Sequence, residues 1–215
     1  MMSRPITTFL FDLDGCIADT LPMWLKSFQQ TFKKFDVSIS DEEIISIGFQ
    51  RIHETDFHID KNLFVKELYV NYKANLINSP LHSGALPLLK TLKKNNYQTA
   101  LVTSSQRKVV KLFLSKNKID SYFDCIFAWE DTQNNKPHPE PLLKALKRLD
   151  AKPETSVMIG DSDVDILAAK AAQVMSVWYH PPANVLFYKK GAFDHHHPDM
   201  TIQTFSELLP LITYI

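Results

Sequence analysis

Five residues of this sequence could act on one substrate if the chain brought them together: Asp12, Asp14, Thr103, Lys136 and Asp161. Asp12 and Asp14 follow the apolar run Thr7–Phe11, and Thr103 follows Thr99–Val102. Lys136 comes after Cys125–Ala128, and Gly160-Asp161 follows Val157–Ile159. A carboxylate behind a strand is often only a helix cap. Four strands ending this way at one sheet edge would deliver three carboxylates, a hydroxyl and an ammonium to one place, which capping does not explain. Three carboxylates in one cleft repel each other unless something neutralises them. The economical answer is a hard divalent cation. Mg²⁺ takes oxygen ligands, uses one or two carboxylates and keeps positions for water and a substrate phosphate. No Cys/His cluster offers a zinc site on these strands. Lys136 suits a phosphate oxygen. Thr103-Ser104-Ser105 leads into a helix whose free N–H groups can bind an anion. Carboxylates, a divalent cation, a lysine and a helix N-terminus together describe phosphoryl transfer.

The elements that must position these groups are legible as five buried runs. They are the four above and Met175–Trp178. Helical patterns separate the later ones. Lys108–Leu114 carries Val109, Val110, Leu112 and Phe113; Pro141–Leu149 carries Leu142, Leu143, Leu146 and Leu149; Asp165–Ala172 carries Ile166, Leu167, Ala169 and Ala172. Strands alternating with helices predict βαβ units in a doubly wound, Rossmann-like parallel α/β sheet. In such a sheet the ligand lies beyond the carboxyl ends of the strands, where the five residues stand.

The first strand is followed by a long stretch without a strand-like run. Trp24, Phe28, Phe32 and Phe35 form one apolar helical stripe, and Phe64, Leu68, Tyr72 and Leu76 form another. Ser40-Asp41-Glu42-Glu43 reads as a capping box opening a helix between them. Residues 20–82 are therefore expected to be a small inserted helical cap domain, with 1–19 and 83–215 as the α/β core. Ala85–Lys94 is expected to be the first core helix after the insert.

The motifs resemble a known family. Phe11-Asp12-Leu13-Asp14-Gly15 with Asp19-Thr20, Leu101-Val102-Thr103-Ser104, Lys136-Pro137-His138-Pro139-Glu140-Pro141 and Gly160-Asp161-Ser162-Asp163-Val164-Asp165 resemble, in order, the four motifs of the haloacid dehalogenase superfamily. The likeness covers essentially the whole chain and points to the branch of phosphoglycolate phosphatases and β-phosphoglucomutases with a helical cap. The resemblance implies an aspartyl-phosphate on Asp12. It implies general acid and base work by Asp14, whose backbone carbonyl would bind Mg²⁺, and phosphoryl contacts from Thr103 and Lys136. Asp161 would be the third metal ligand, and Asp165 an outer ligand or a support behind it. Dehalogenases lack the second Asp, so Asp14 favours phosphate chemistry. P-type ATPases have Thr there. Mutase members usually have a His near the position of Trp24, whose indole cannot do that acid–base work.

The implied function is Mg²⁺-dependent hydrolysis of a small phosphate monoester. Ile47-Gly48-Phe49-Gln50-Arg51 resembles the cap loop that presents an Arg to the far end of a sugar phosphate. Gly48, Arg51 and Ser104 are thus candidate substrate contacts. Arg51 would pair with a distal carboxylate or second phosphate, as in phosphoglycolate. The alternatives are a phosphoglucomutase-like enzyme, a nucleoside monophosphate phosphatase stacking its base on Trp24 or Phe49, and a silent binding protein on the same fold.

Composition bounds the rest. The chain has 215 residues, 45% hydrophobic and 22% charged, which excludes disordered and fibrous classes. Twenty-four Lys+Arg balance twenty-four Asp+Glu, so no net charge draws the chain to nucleic acid or an anionic membrane. No apolar run is long enough to span a bilayer. Two cysteines, Cys16 and Cys125, make no disulfide framework. The start lacks a secretory pattern, so a cytoplasmic location is expected, as a monomer or a homodimer. Cys16 reads as a buried filler, His195–His197 as a surface loop, and His53, His58 and His138 as surface histidines, His138 being nearest the cleft. Arg107 and Lys108 open a helix with positive charge, which hints at a nearby anion.

Overall fold

The computed structural model describes residues 5–47, 55–188 and 197–212. Six strands make one parallel sheet: β1 (Thr8–Phe11), β2 (Gln98–Val102), β3 (Cys125–Phe127), β4 (Ser156–Gly160), β5 (Met175–Tyr179) and β6 (Met200–Ile202), in the order β3-β2-β1-β4-β5-β6. The five expected strands stand within a residue or two of their apolar runs. The sixth, Met200–Ile202, is three residues long at the sheet edge, too short to leave a pattern. β1 is the switch point, paired with β2 on one side and β4 on the other. The chain leaves it first to one side and later to the other, which opens a crevice past its carboxyl end.

Helices cover both faces. They are α1 (Leu21–Lys34), α2 (Asp41–Ile47), α3 (Lys61–Leu76), α4 (Ala85–Lys94), α5 (Arg107–Asn117), α6 (Glu140–Leu149) and α7 (Asp163–Ala171). One apolar cluster joins Phe9, Phe11, Leu89, Val110 and Phe113, and the opposite face gathers Leu10, Val102, Leu142, Leu146, Met158 and Ala169. Alternate residues of β1 thus serve opposite faces, as strand geometry requires. Two stripe positions differ from the sequence pattern: Leu112 and Leu143 are exposed, because each faces away from the sheet on its helix.

Between β1 and α4 lie α1, α2 and α3. α1 and α3 pack along each other and, with α2, enclose Phe28, Phe32, Ile44, Phe64 and Leu68. The buried residues of α3 are Phe64, Leu68, Tyr72 and Leu76, the full predicted stripe. The Ser40 capping box forms: Glu43 N–H donates to Ser40 Oγ (3.2 Å), and Ser40 N–H donates to Glu43 Oε2 (3.0 Å). The two chain crossings between the helices and the sheet run side by side. Asp19 N–H donates to Pro80 O (3.0 Å), and His82 N–H donates to Ile17 O (3.0 Å).

Phe32 sits at the centre of the helical cluster, edge-on to Phe57 at 4.8 Å and tilted on Phe64 at 4.9 Å. Phe32→Ala is expected to cost about 3–5 kcal/mol in urea unfolding. Leu143→Ala, on an exposed position, should stay within about 0.5 kcal/mol.

Candidate active site

The parallel register sets the site. Phe11 lies opposite Leu101 on β2 and Ile159 on β4, so all three strands end at one level. Asp12, Thr103 and Asp161 emerge there, and Asp12 N–H donates to Ile159 O at 2.9 Å. All three residues are buried, as is Lys136, which arrives from the loop after β3.

Lys136 ties the group together. Its Nζ donates to Asp12 Oδ1 (2.6 Å), Asp165 Oδ1 (2.6 Å) and Val102 O (3.0 Å). Asp165, on the first turn of α7, turns its other oxygen to Ser162, accepting from Ser162 N–H (3.1 Å) and Oγ (2.6 Å). Oxygens of Asp12, Asp161 and Asp165 lie within 4.8 Å of one another. Burial pushes the Asp12 carboxyl up to about 7; Lys136 pulls it down, and Asp165 and Asp14 push it up. Burial, Asp12 and Asp165 raise Asp161 well above the carboxylate range, and a hydrogen bond from the Tyr188 hydroxyl lowers it. Burial alone would depress Lys136, but Asp12 and Asp165 hold it above the usual lysine range.

These shifts say that one ammonium does not balance three buried carboxylates. Oxygen donors of this number and hardness fit a divalent cation. The carboxylates of Asp12 and Asp161 could hold one. Both oxygens of Asp165 are committed to Lys136 and Ser162, which suits a supporting role. Two glycines make the approach possible. Gly15 has φ +74°, and a Cβ there would stand 1.9 Å from Asp161 Oδ2; one on Gly160 would stand 2.3 Å from Asp165 Cγ.

Asp14 stands apart from this cluster. Its carboxylate accepts from the Tyr72 hydroxyl at Oδ1 (2.7 Å) and from Ser105 Oγ at Oδ2 (2.5 Å). The sequence singled out Ser104, yet Ser104 is exposed, and the hydroxyl that meets Asp14 belongs to its neighbour. Tyr72, Ser105 and Tyr188 were all missed as site residues. Tyr72 carried only a burial signal, and Tyr188 follows a 3₁₀ segment (Pro182–Phe187) with no periodicity. Trp24 stacks on Tyr72, ring centroids 3.8 Å apart.

Thr103 holds its loop by accepting from Ser105 N–H at Oγ1 (3.1 Å). Its N–H donates to Phe127 O at 2.9 Å. Gly48, Phe49, Arg51 and His53 lie outside the described residues, as do His195 and His196. Arg107 needs no ligand: its side chain pairs with Asp131 and its N–H donates to Glu130 (2.9 Å). His138 is exposed, and its Nδ1 accepts from Glu140 N–H (3.2 Å). Cys16 is fully buried, and burial and then Asp12 raise its thiol well above the usual range, so it is an inert filler.

Comparison with known proteins fits this geometry. The family described as haloacid dehalogenase-like hydrolase matches residues 9–179. A pyrophosphatase, PpaX, from Bacillus cereus is 32% identical over 218 aligned residues, covering 97% of each chain. A haloacid dehalogenase-like hydrolase from Bacteroides fragilis superposes with a TM-score of 0.80 at 28% identity, over 94% of this chain and 99% of that one. A predicted phosphoglycolate phosphatase from Haemophilus somnus superposes at 0.81 with 24% identity, over 96% and 97%, a likeness of fold.

Removing the shared ammonium leaves buried carboxylates unpaired. Lys136→Met is expected to lose about 3–5 kcal/mol in urea unfolding. Mg²⁺ at a hundred times its Kd should add about 2.7 kcal/mol to wild-type stability, read as a rise in Tm. Asp161→Asn should abolish most of that rise.

Proposed function

This chain belongs to the haloacid dehalogenase-like hydrolase family and is a hydrolase of phosphoric esters, and we propose that it is Mg²⁺-dependent and works through an aspartyl-phosphate on Asp12. The observation that carries this reading is the Lys136 ammonium shared between Asp12 and Asp165, with Asp161 beside them at the switch point of the sheet. Lys136 donates to Asp12 Oδ1 and orients the carboxylate; one carboxylate oxygen of Asp12 attacks phosphorus, and the other would remain for the cation. The P–O bond to the leaving group then breaks. Asp14 gives its proton to the leaving oxygen, then takes one from the water that releases phosphate and restores Asp12. The Thr103 hydroxyl and the Lys136 ammonium would hold the phosphoryl oxygens. Asp12, Asp161 and the Asp14 backbone carbonyl would hold the Mg²⁺ ion, which when bound supplies charge neutralisation on the phosphoryl group. Residues 20–82 would form a cap that excludes bulk water, with Trp24 and Tyr72 on its inner side.

The proposed substrate is a small phosphate monoester, phosphoglycolate-like or a sugar phosphate, with Arg51 assigned to its distal anion from its place in the sequence. Inorganic pyrophosphate is a second reading, favoured by the 32% identity to the Bacillus cereus pyrophosphatase along nearly the whole chain. A silent binding role is disfavoured because Asp12, Asp14, Thr103, Lys136 and Asp161 are all present.

Phosphate release across phosphoglycolate, hexose phosphates, nucleoside monophosphates and pyrophosphate, with Mg²⁺ and with a chelator, tests both. We expect chelator-sensitive turnover of one class and a loss of roughly a thousandfold or more in Asp12→Asn. An Asp12→Asn variant as active as wild type would overturn the nucleophile assignment.

A further inference from the structure

Asp14 is held on both sides by hydroxyl groups from different parts of the fold. Tyr72 reaches Oδ1 from α3, and Ser105 reaches Oδ2 from the loop between β2 and α5, while the two hydroxyl oxygens stand 3.0 Å apart. Three short O···O contacts link three groups. Both hydroxyls donate to the carboxylate, so the orientation of Asp14 is fixed from two sides, once from α3 and once from the core.

Tyr72 is buried and stacked face-on beneath Trp24, with 20° between the rings. A buried tyrosine hydroxyl needs a partner, and a satisfied core tyrosine is the plain alternative. Yet this hydroxyl meets Asp14 and Ser105, side chains of the core site, rather than a group of its own helical cluster. Its ring belongs to the insert and its oxygen to the core site.

We propose that Tyr72 is a positioning residue that sets, from helix α3, the orientation in which Asp14 transfers its proton. The idea rests on the role assigned to Asp14 above. It ties proton transfer to the seating of the helical region, since Asp14 Oδ1 keeps this partner only while α3 stands over the strand ends.

The test is a leaving-group comparison. Phenyl phosphate and p-nitrophenyl phosphate are similar in shape, but the first expels a more basic phenolate and depends more on an acid. In Tyr72→Phe, kcat/KM for phenyl phosphate, which reads the steps up to departure of the leaving group and not the shared release of phosphate, is expected to fall roughly tenfold to a hundredfold, with p-nitrophenyl phosphate changed by no more than about threefold. Trp24→Leu keeps the hydroxyl but removes its stacking face, and should give a smaller split of the same sign. Asp14→Asn serves as the reference and should show the largest split. Equal losses on both esters in Tyr72→Phe, or none, while Asp14→Asn shows the split, would overturn the proposal and leave the role of Asp14 standing. If Asp14→Asn itself shows no split, the role of Asp14 fails first.

Discussion

The site depends on one buried ammonium. Asp12 follows β1 and Asp165 stands on the first turn of α7, and two carboxylates buried side by side need a shared counter-charge. Lys136 supplies it at 2.6 Å to each. The consequence reaches beyond charge. Asp165 also accepts from Ser162 and so completes the capping box that starts α7. The beginning of α7, the loop after β3 and the end of β1 are therefore fixed by one hydrogen-bonded set. The backbone had to be shaped to allow it, because side chains on residues 15 or 160 would occupy the space of Asp161 or Asp165.

The same imbalance that strains the site defines its ligand. One cation against Asp12, Asp161 and Asp165 leaves Asp12 and Asp161 raised towards their neutral forms. A divalent cation and a phosphoryl group bring opposite charges to the same edge. Lys136, held by Asp12 and Asp165, presents its ammonium at that edge. The sheet provides the geometry, and the buried carboxylates past its strand ends set the charge of the crevice.

Much of this was legible because strand ends are legible. Parallel strands are buried on both faces and read as short apolar runs, so the residues just past them can be read from sequence as sharing one edge. That located Asp12, Asp14, Thr103, Lys136 and Asp161. What was not legible lay across the fold. Periodicity marked Tyr72 as buried in α3 but could not say that its oxygen leaves the helical cluster for Asp14. Ser104 and Ser105 are alike in sequence, and only the turn of the loop decides which one faces inward. β6 is too short to show alternation, and Leu143 matched a helical stripe that the sheet does not cover.

The helices between β1 and α4 reach into the site themselves. Trp24 stands where the resemblance to the mutase branch leads one to expect a histidine. Here the indole lies flat on Tyr72, and the polar contact passes one ring further, to a phenol whose proton points at Asp14. Burial and the Asp14 charge raise the Tyr72 hydroxyl well above its ordinary range, so it keeps its proton near neutral pH and can donate but not act as a base. The aromatic pair thus joins the helical side of the site to the carboxylate on its core side, so the packing of α1 on α3 bears on where Asp14 stands.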